Sequence, residues 1–239
     1  MAKMTLDELV AQLRAAFGAE LRSVVLYGSA AAGDHIPNRS DYNVLVLVDS
    51  LDVARLEAVA AVVRAWSDAG NPPPFTLTME EWRRSADIFP MEYSDILERH
   101  RVLFGAPPFD DVRVDPADLR RQLELESMGK LLHLRKGVLA AGGDGRRQLE
   151  LLEASRSTLM VLFRATMRLH DRKPPSDTVE LCREVGRIAG LDPEPFIRVL
   201  HHVRGADKLR PADAAPVLAS YVRGVQQLVA HLDRFAPGG

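Results

Sequence analysis

Cysteine is almost missing from this sequence: Cys182 is the only one in 239 residues. No intramolecular disulfide can form, which fits a reducing compartment such as the cytoplasm. The neighbours of Cys182, Leu181 and Arg183, suggest nothing reactive, and a buried structural thiol is expected there. Long apolar runs are also missing. No stretch reaches the roughly 20 residues that span a bilayer, so no membrane partner is expected. The N-terminus runs straight into an amphipathic pattern and shows no signal peptide. Charge of one sign is missing too. The formal net charge is −2, which argues against a strongly basic nucleic-acid binder.

The remaining composition is ordinary for a globular protein, 46% hydrophobic and 27% charged, and long enough for one large domain or two modest ones. The two halves differ slightly. Residues 1–108 carry 10 basic against 15 acidic side chains, and the rest 21 against 18. The second half could thus offer arginines to an anionic ligand, although ordinary surface variation explains as much.

Read in order, Thr5 can cap a helix from Leu6 to about Phe17, with Asp7 and Glu8 in its first turn and Gly18 as the stop. Ser23 to Tyr27 reads as a buried strand stopped by Gly28. A polar loop comes next, through Gly33, Pro37 and Asn38. Val44 to Val48 is apolar on consecutive positions, as in a strand covered on both faces. Asp52 opens a helix ending near Gly70, with Val53, Leu56, Val59, Ala60, Val63 and Trp66 as its apolar stripe. Phe75 to Thr78 is a third strand, and Thr78 with Glu81 forms a capping box for another helix. Tyr93 to His100 looks helical and Arg101 to Phe104 extended. Helices alternating with short strands make an α/β core of residues 1–108.

From Asp115-Pro116 onward the pattern is helical only. Helices are expected over about 116–140, 146–171, 177–189, 193–204 and 213–235, an antiparallel bundle spanning 109–239. Its apolar faces would serve an internal core or a homodimer interface equally well.

The informative stretch is Val24-Val25-Leu26-Tyr27-Gly28-Ser29, then eleven residues, then Asp41-Tyr42-Asn43-Val44-Leu45-Val46. Gly28 lets the backbone approach a ligand closely. Ser29 begins a helical turn, where its hydroxyl and the succeeding amides can hold a phosphate. Asp41 and Asn43 point to the same side because strand side chains alternate. Arg39 could reach a triphosphate tail, and Ser40 could contact phosphate or tie the loop to the strand.

This stretch resembles the signature of the DNA polymerase beta-type nucleotidyltransferases: a strand, Gly-Ser, roughly ten residues, then Asp-x-Asp in a second strand. Asp95-Ile96-Leu97-Glu98-Arg99-His100-Arg101-Val102-Leu103-Phe104-Gly105 looks like the last helix and strand of such a core. A helical bundle behind the core is similar to the layout of bacterial antibiotic nucleotidyltransferases acting on kanamycin or streptomycin. The resemblance implies a nucleotidyltransferase core with a short mixed sheet, ATP or another nucleoside triphosphate as ligand, and Mg²⁺ held at Asp41 and residue 43. It also implies transfer of a nucleoside monophosphate to a hydroxyl of an unidentified acceptor, in a cleft closed by the bundle.

The sequence departs from that pattern where catalysis needs charge. Asn43 stands in place of an acidic residue, and a neutral carbonyl oxygen cannot neutralise a metal ion. The strand Phe75-Thr76-Leu77-Thr78, from which the third carboxylate normally comes, has none. Two metal ions about 4 Å apart need anionic ligands. Two expectations are open: a core that binds a triphosphate with at most one Mg²⁺ and transfers weakly or not at all, or an active enzyme in which Asp34, Glu80, Glu81, Glu92 or a bundle acid substitutes. Glu124, Glu126, Glu150 and Glu153 carry no distinguishing motif. His201-His202 is not a metal site, because adjacent residues diverge on a helix. Arg164 and His170 only loosely match the spacing of helical ribonuclease toxins.

Overall fold

A computed structural model describes residues 4–31 and 41–235. The chain divides into two compact units, 1–115 and 116–239.

The first unit opens with α1 (Leu6–Phe17), whose cap is the expected one. The Thr5 side chain accepts from the Glu8 amide at 3.2 Å, and Glu8 Oε2 accepts from the Thr5 amide at 2.8 Å. After a short turn come β1 (Leu21–Tyr27), a 3₁₀ turn (Gly28–Ala30), β2 (Asn43–Val48), α2 (Val53–Asp68) and β3 (Phe75–Thr78). The capping box of Thr78 and Glu81 starts α3 (Met79–Arg84), and α4 (Pro90–Glu98) leads into β4 (His100–Gly105). The order across the sheet is β3-β2-β1-β4. β1 pairs antiparallel with β2 and β4, whereas β2 and β3 run parallel, so the sheet is mixed.

Consecutive apolar residues on β1 and β2 bury both faces of the sheet. On one face Val24, Leu26, Val44, Val46 and Val48 meet Leu9, Leu13 and Phe17 of α1 and Val59 and Trp66 of α2. On the other, Val25, Leu45 and Leu47 meet Trp82, Tyr93 and Ile96 from α3 and α4. Side chains of this size each contribute roughly 1.5–3 kcal/mol on burial. Trp82 stacks on Tyr93 at 4.2 Å between ring centroids and donates from Nε1 to the Pro108 carbonyl at 2.7 Å.

That bond anchors the segment after β4. Phe109, Val112 and Val114 pack into the same cluster, so the first unit runs to Asp115, beyond the expected boundary at 108. Two further details differ from expectation. Helix α4 begins at Pro90, not Tyr93, with proline in its first turn. Val53 and Leu56 do not join the buried stripe of α2 but are exposed. The first turn of α2 is held instead by ion pairs of Arg55 with Glu20 and Asp52.

The second unit is the expected bundle: α5 (Pro116–Ala141), α6 (Gly145–Leu169), α7 (Thr178–Ala189), α8 (Glu194–Arg204) and α9 (Ala214–Arg234). Its core includes Leu123, Leu134, Leu152, Phe163, Leu181, Phe196 and Leu228. Ser155 and Tyr221 share a buried hydrogen bond of 2.7 Å between α6 and α9. Cys182 is fully buried, and burial pushes its thiol up to about 12, which leaves it unreactive. Among the described residues no helix is long and apolar enough to cross a membrane.

Candidate functional site

Gly28 is the residue at which a ligand is expected from the sequence. It comes directly after the last residue of β1, and Tyr27 is flanked across the sheet by Asn43 on β2 and His100 on β4. The backbone of Gly28 has φ +77°, a conformation that costs other residues roughly 1–2 kcal/mol. Its amide donates to the Arg99 carbonyl at 3.0 Å. The ladder between β1 and β4 thus continues one step, tying the turn after β1 to the corner between α4 and β4.

That corner brings in a residue the sequence did not single out. A Cβ placed on Gly28 would lie 3.3 Å from Asp95 Oδ2 and 3.4 Å from Asn43 Nδ2. An α4 carboxylate and the first side chain of β2 therefore converge on the notch left by the glycine. Arg99 Nη2 donates to Asp95 Oδ1 at 2.5 Å, with the two side chains 14% and 23% exposed, while the buried Nε of Arg99 has no acceptor among the described residues. Tyr27 lies under the same group of acids. Burial, then the charges of Glu92 and Asp95, push its hydroxyl up to about 12.

The predicted site residues separate into three groups. Gly28 and Asn43 come together at the notch. Asp41 precedes β2 and is exposed. Tyr42, between Asp41 and Asn43, has its amide bound by Asn71 Oδ1 at 3.1 Å and its ring 6.1 Å from Trp66. Its ring thus belongs to the α1–α2 face. Arg39, Ser40 and Asp34 lie outside the described residues, as does the side chain of Ser29.

The substitute acids are partly accounted for by local roles. Glu81 is engaged in the capping box with Thr78, and Glu80 pairs with Arg84 at 2.9 Å on the surface. Glu92 lies one turn before Asp95 on α4, close enough to act on Tyr27.

Signals in the second unit have structural partners. His202 donates from Nε2 to Glu153 at 2.9 Å and accepts the Leu209 amide on Nδ1 at 3.0 Å. With both ring nitrogens engaged, it cannot also act as a base. Arg164 is buried within α6, and His170 Nε2 bonds His231 Nε2 at 2.9 Å. Among the described residues no group of three or more His, Cys, Asp or Glu is arranged to hold a metal ion.

No protein-family model and no curated protein sequence matches this chain. A comparison of folds does find a match. The crystal structure of a spectinomycin adenyltransferase from Enterococcus faecialis, solved with ATP and spectinomycin, superposes with a TM-score of 0.60 over 96% of this chain and 100% of its own. Identity is 12%. The fold is that of a nucleotidyltransferase core followed by a helical bundle.

Proposed function

We propose that the first unit binds a nucleoside triphosphate at the Gly28 notch, with one divalent cation, and that nucleotidyl transfer is weak or absent. The observation that carries this reading is the notch itself. A turn whose backbone conformation favours glycine, at the end of β1, faces Asn43 and Asp95 in a fold whose solved counterpart was crystallised with ATP. Because the Gly28 amide is already bonded to Arg99, the phosphate contacts fall to the Ser29 hydroxyl and to the amides beyond Gly28. Arg39 and Ser40 would approach from the loop.

The donor set fits one Mg²⁺ and not two. Mg²⁺ is commonly held by one or two carboxylates together with substrate phosphates, and Asp41 with the Asn43 amide oxygen suits that arrangement. When bound, the cation would neutralise phosphate charge. Two ions would need more anionic ligands than β2 and β3 supply, and losing that charge costs several kcal/mol in the transition state, or about three orders of magnitude in rate.

A second reading is favoured by Asp95, which brings a carboxylate beside Asn43. In it the protein is an active transferase that moves a nucleoside monophosphate to a hydroxyl of a small molecule or macromolecule. Thermal shift with ATP and the other triphosphates, with and without Mg²⁺, tests binding. Pyrophosphate release across hydroxyl-bearing acceptors tests transfer. Binding without release supports the first reading, and release abolished by Asp41→Ala supports the second. Absence of binding to every triphosphate removes both.

A further inference from the structure

We propose that Asp95 on α4 supplies the carboxylate that Asn43 lacks, holding the cation of a bound triphosphate while Arg99 passes from Asp95 to the phosphates. The proposal rests on the reading of this unit as a triphosphate binder. It adds a helix-borne ligand from outside the two strands where the sequence pattern looks for metal-binding acids.

Three observations converge on it. First, Asp95 Oδ2 and the Asn43 amide come within 3.3 and 3.4 Å of one point, the missing Cβ of Gly28. Any larger residue at position 28 would fill the space between them. The oxygen and nitrogen of an amide are assigned by their hydrogen bonds, and a half-turn of the Asn43 amide presents Oδ1 to the same space. One carboxylate oxygen and one neutral oxygen then face the notch, a donor set that suits Mg²⁺ or Mn²⁺ shared with phosphate.

Second, Asp95 is charge-balanced by Arg99 in a ligand-free protein. The two are joined at 2.5 Å and largely shielded from water. Pulling one charge out of such a pair is costly unless another replaces it. A cation–triphosphate complex brings both replacements at once: the cation takes the place of Arg99 beside Asp95, and phosphate takes the place of Asp95 beside Arg99. The exchange leaves no buried charge uncompensated.

Third, the Arg99 guanidinium already carries an unused donor. Its Nε is buried without an acceptor among the described residues, and its own main-chain carbonyl is bonded to Gly28. The fork is therefore anchored beside the turn expected to meet phosphate. Planar guanidinium donors suit phosphate oxygens.

The test measures ATP binding by the full chain by calorimetry, in EDTA, Mg²⁺ and Cd²⁺, with no requirement for turnover. For the wild type, Mg²⁺ should improve ATP affinity about tenfold or more. In Asp95→Asn that gain should vanish while binding in EDTA persists. In Asp95→Cys the gain should return with Cd²⁺ and not with Mg²⁺, because a thiolate prefers the softer ion. Cys182 is buried, so the introduced thiol is the accessible one. An Asp95→Asn protein that keeps the full Mg²⁺ gain overturns the role of Asp95 and leaves triphosphate binding standing. A wild type that binds no triphosphate in any metal overturns both. Should Asp95→Asn lose its melting transition, Asp95→Cys decides alone: a Cd²⁺-specific gain supports the assignment, and an undiminished Mg²⁺ gain or no gain in either metal overturns it.

Discussion

The amide of Gly28 and the carbonyl of Arg99 meet at 3.0 Å, joining two turns that are distant in the chain. Gly28→Ala should therefore be costly. The φ of +77° strains any Cβ-bearing residue, and the new methyl would press on Asp95 and Asn43. A loss of about 1–3 kcal/mol is expected in urea unfolding. A variant as stable as the wild type would mean that the turn adopts another conformation.

Asn43→Asp separates electrostatics from shape. Without metal, the new carboxylate shares the notch with Asp95 and should lower the melting temperature through like-charge repulsion. With Mg²⁺ present it should strengthen triphosphate binding. Thermal shift in EDTA and in Mg²⁺ checks both arms, and a flat response in Mg²⁺ would take residue 43 out of the cation's reach.

The second unit should be sensitive to acid through one histidine pair. His170 and His231 face each other through Nε2 at 2.9 Å, so a single proton fits between them. Burial, then Arg172, lowers the pKa of His170; burial, then His170 and Arg234, lowers that of His231. Each binds its proton less readily when folded than at the ordinary value of 6.5. Their contribution to stability is thus complete above about pH 6.5 and declines as pH falls below it. Denaturant titrations between about pH 5 and 8 should show this slope, reduced in His231→Gln. An unchanged slope in that variant would assign the acid sensitivity elsewhere.

Two helical glycines make opposite predictions. At Gly129 in α5 nothing lies within 4 Å of an added Cβ, so Gly129→Ala should stabilise by about 0.5–1 kcal/mol through helix propensity. At Gly224 in α9 the same atom would come within 2.7 Å of the Phe196 ring. Gly224→Ala should cost about 1–3 kcal/mol by overpacking. Paired unfolding curves decide, and equal shifts would mean that α8 and α9 pack differently.

Local chemistry was the most legible part of the chain. The cap at Thr5, the box at Thr78–Glu81, the apolar run of β2 and the stop at Gly18 each act within a few residues, so a linear reading recovers them. The exposed Val53 and Leu56 were misjudged because helical periodicity records which residues could share a buried face, not how far the facing helix extends. Asp95 was overlooked for a deeper reason. Its approach to Gly28 depends on β4 pairing beside β1, a contact between distant segments that no local spacing encodes. Residues 109–115 obey the same logic, since their place is set by Trp82 reaching Pro108.

The corner built on Gly28 and Arg99 also has an entropic consequence. The turn after β1 and the start of β4 are locked together by an ordinary main-chain bond that needs no guest molecule. A partner arriving at the notch would find that part of its cradle preorganised and would not have to supply the ordering itself. Selection at this point acts on the fit of the incoming group, not on the closing of the corner.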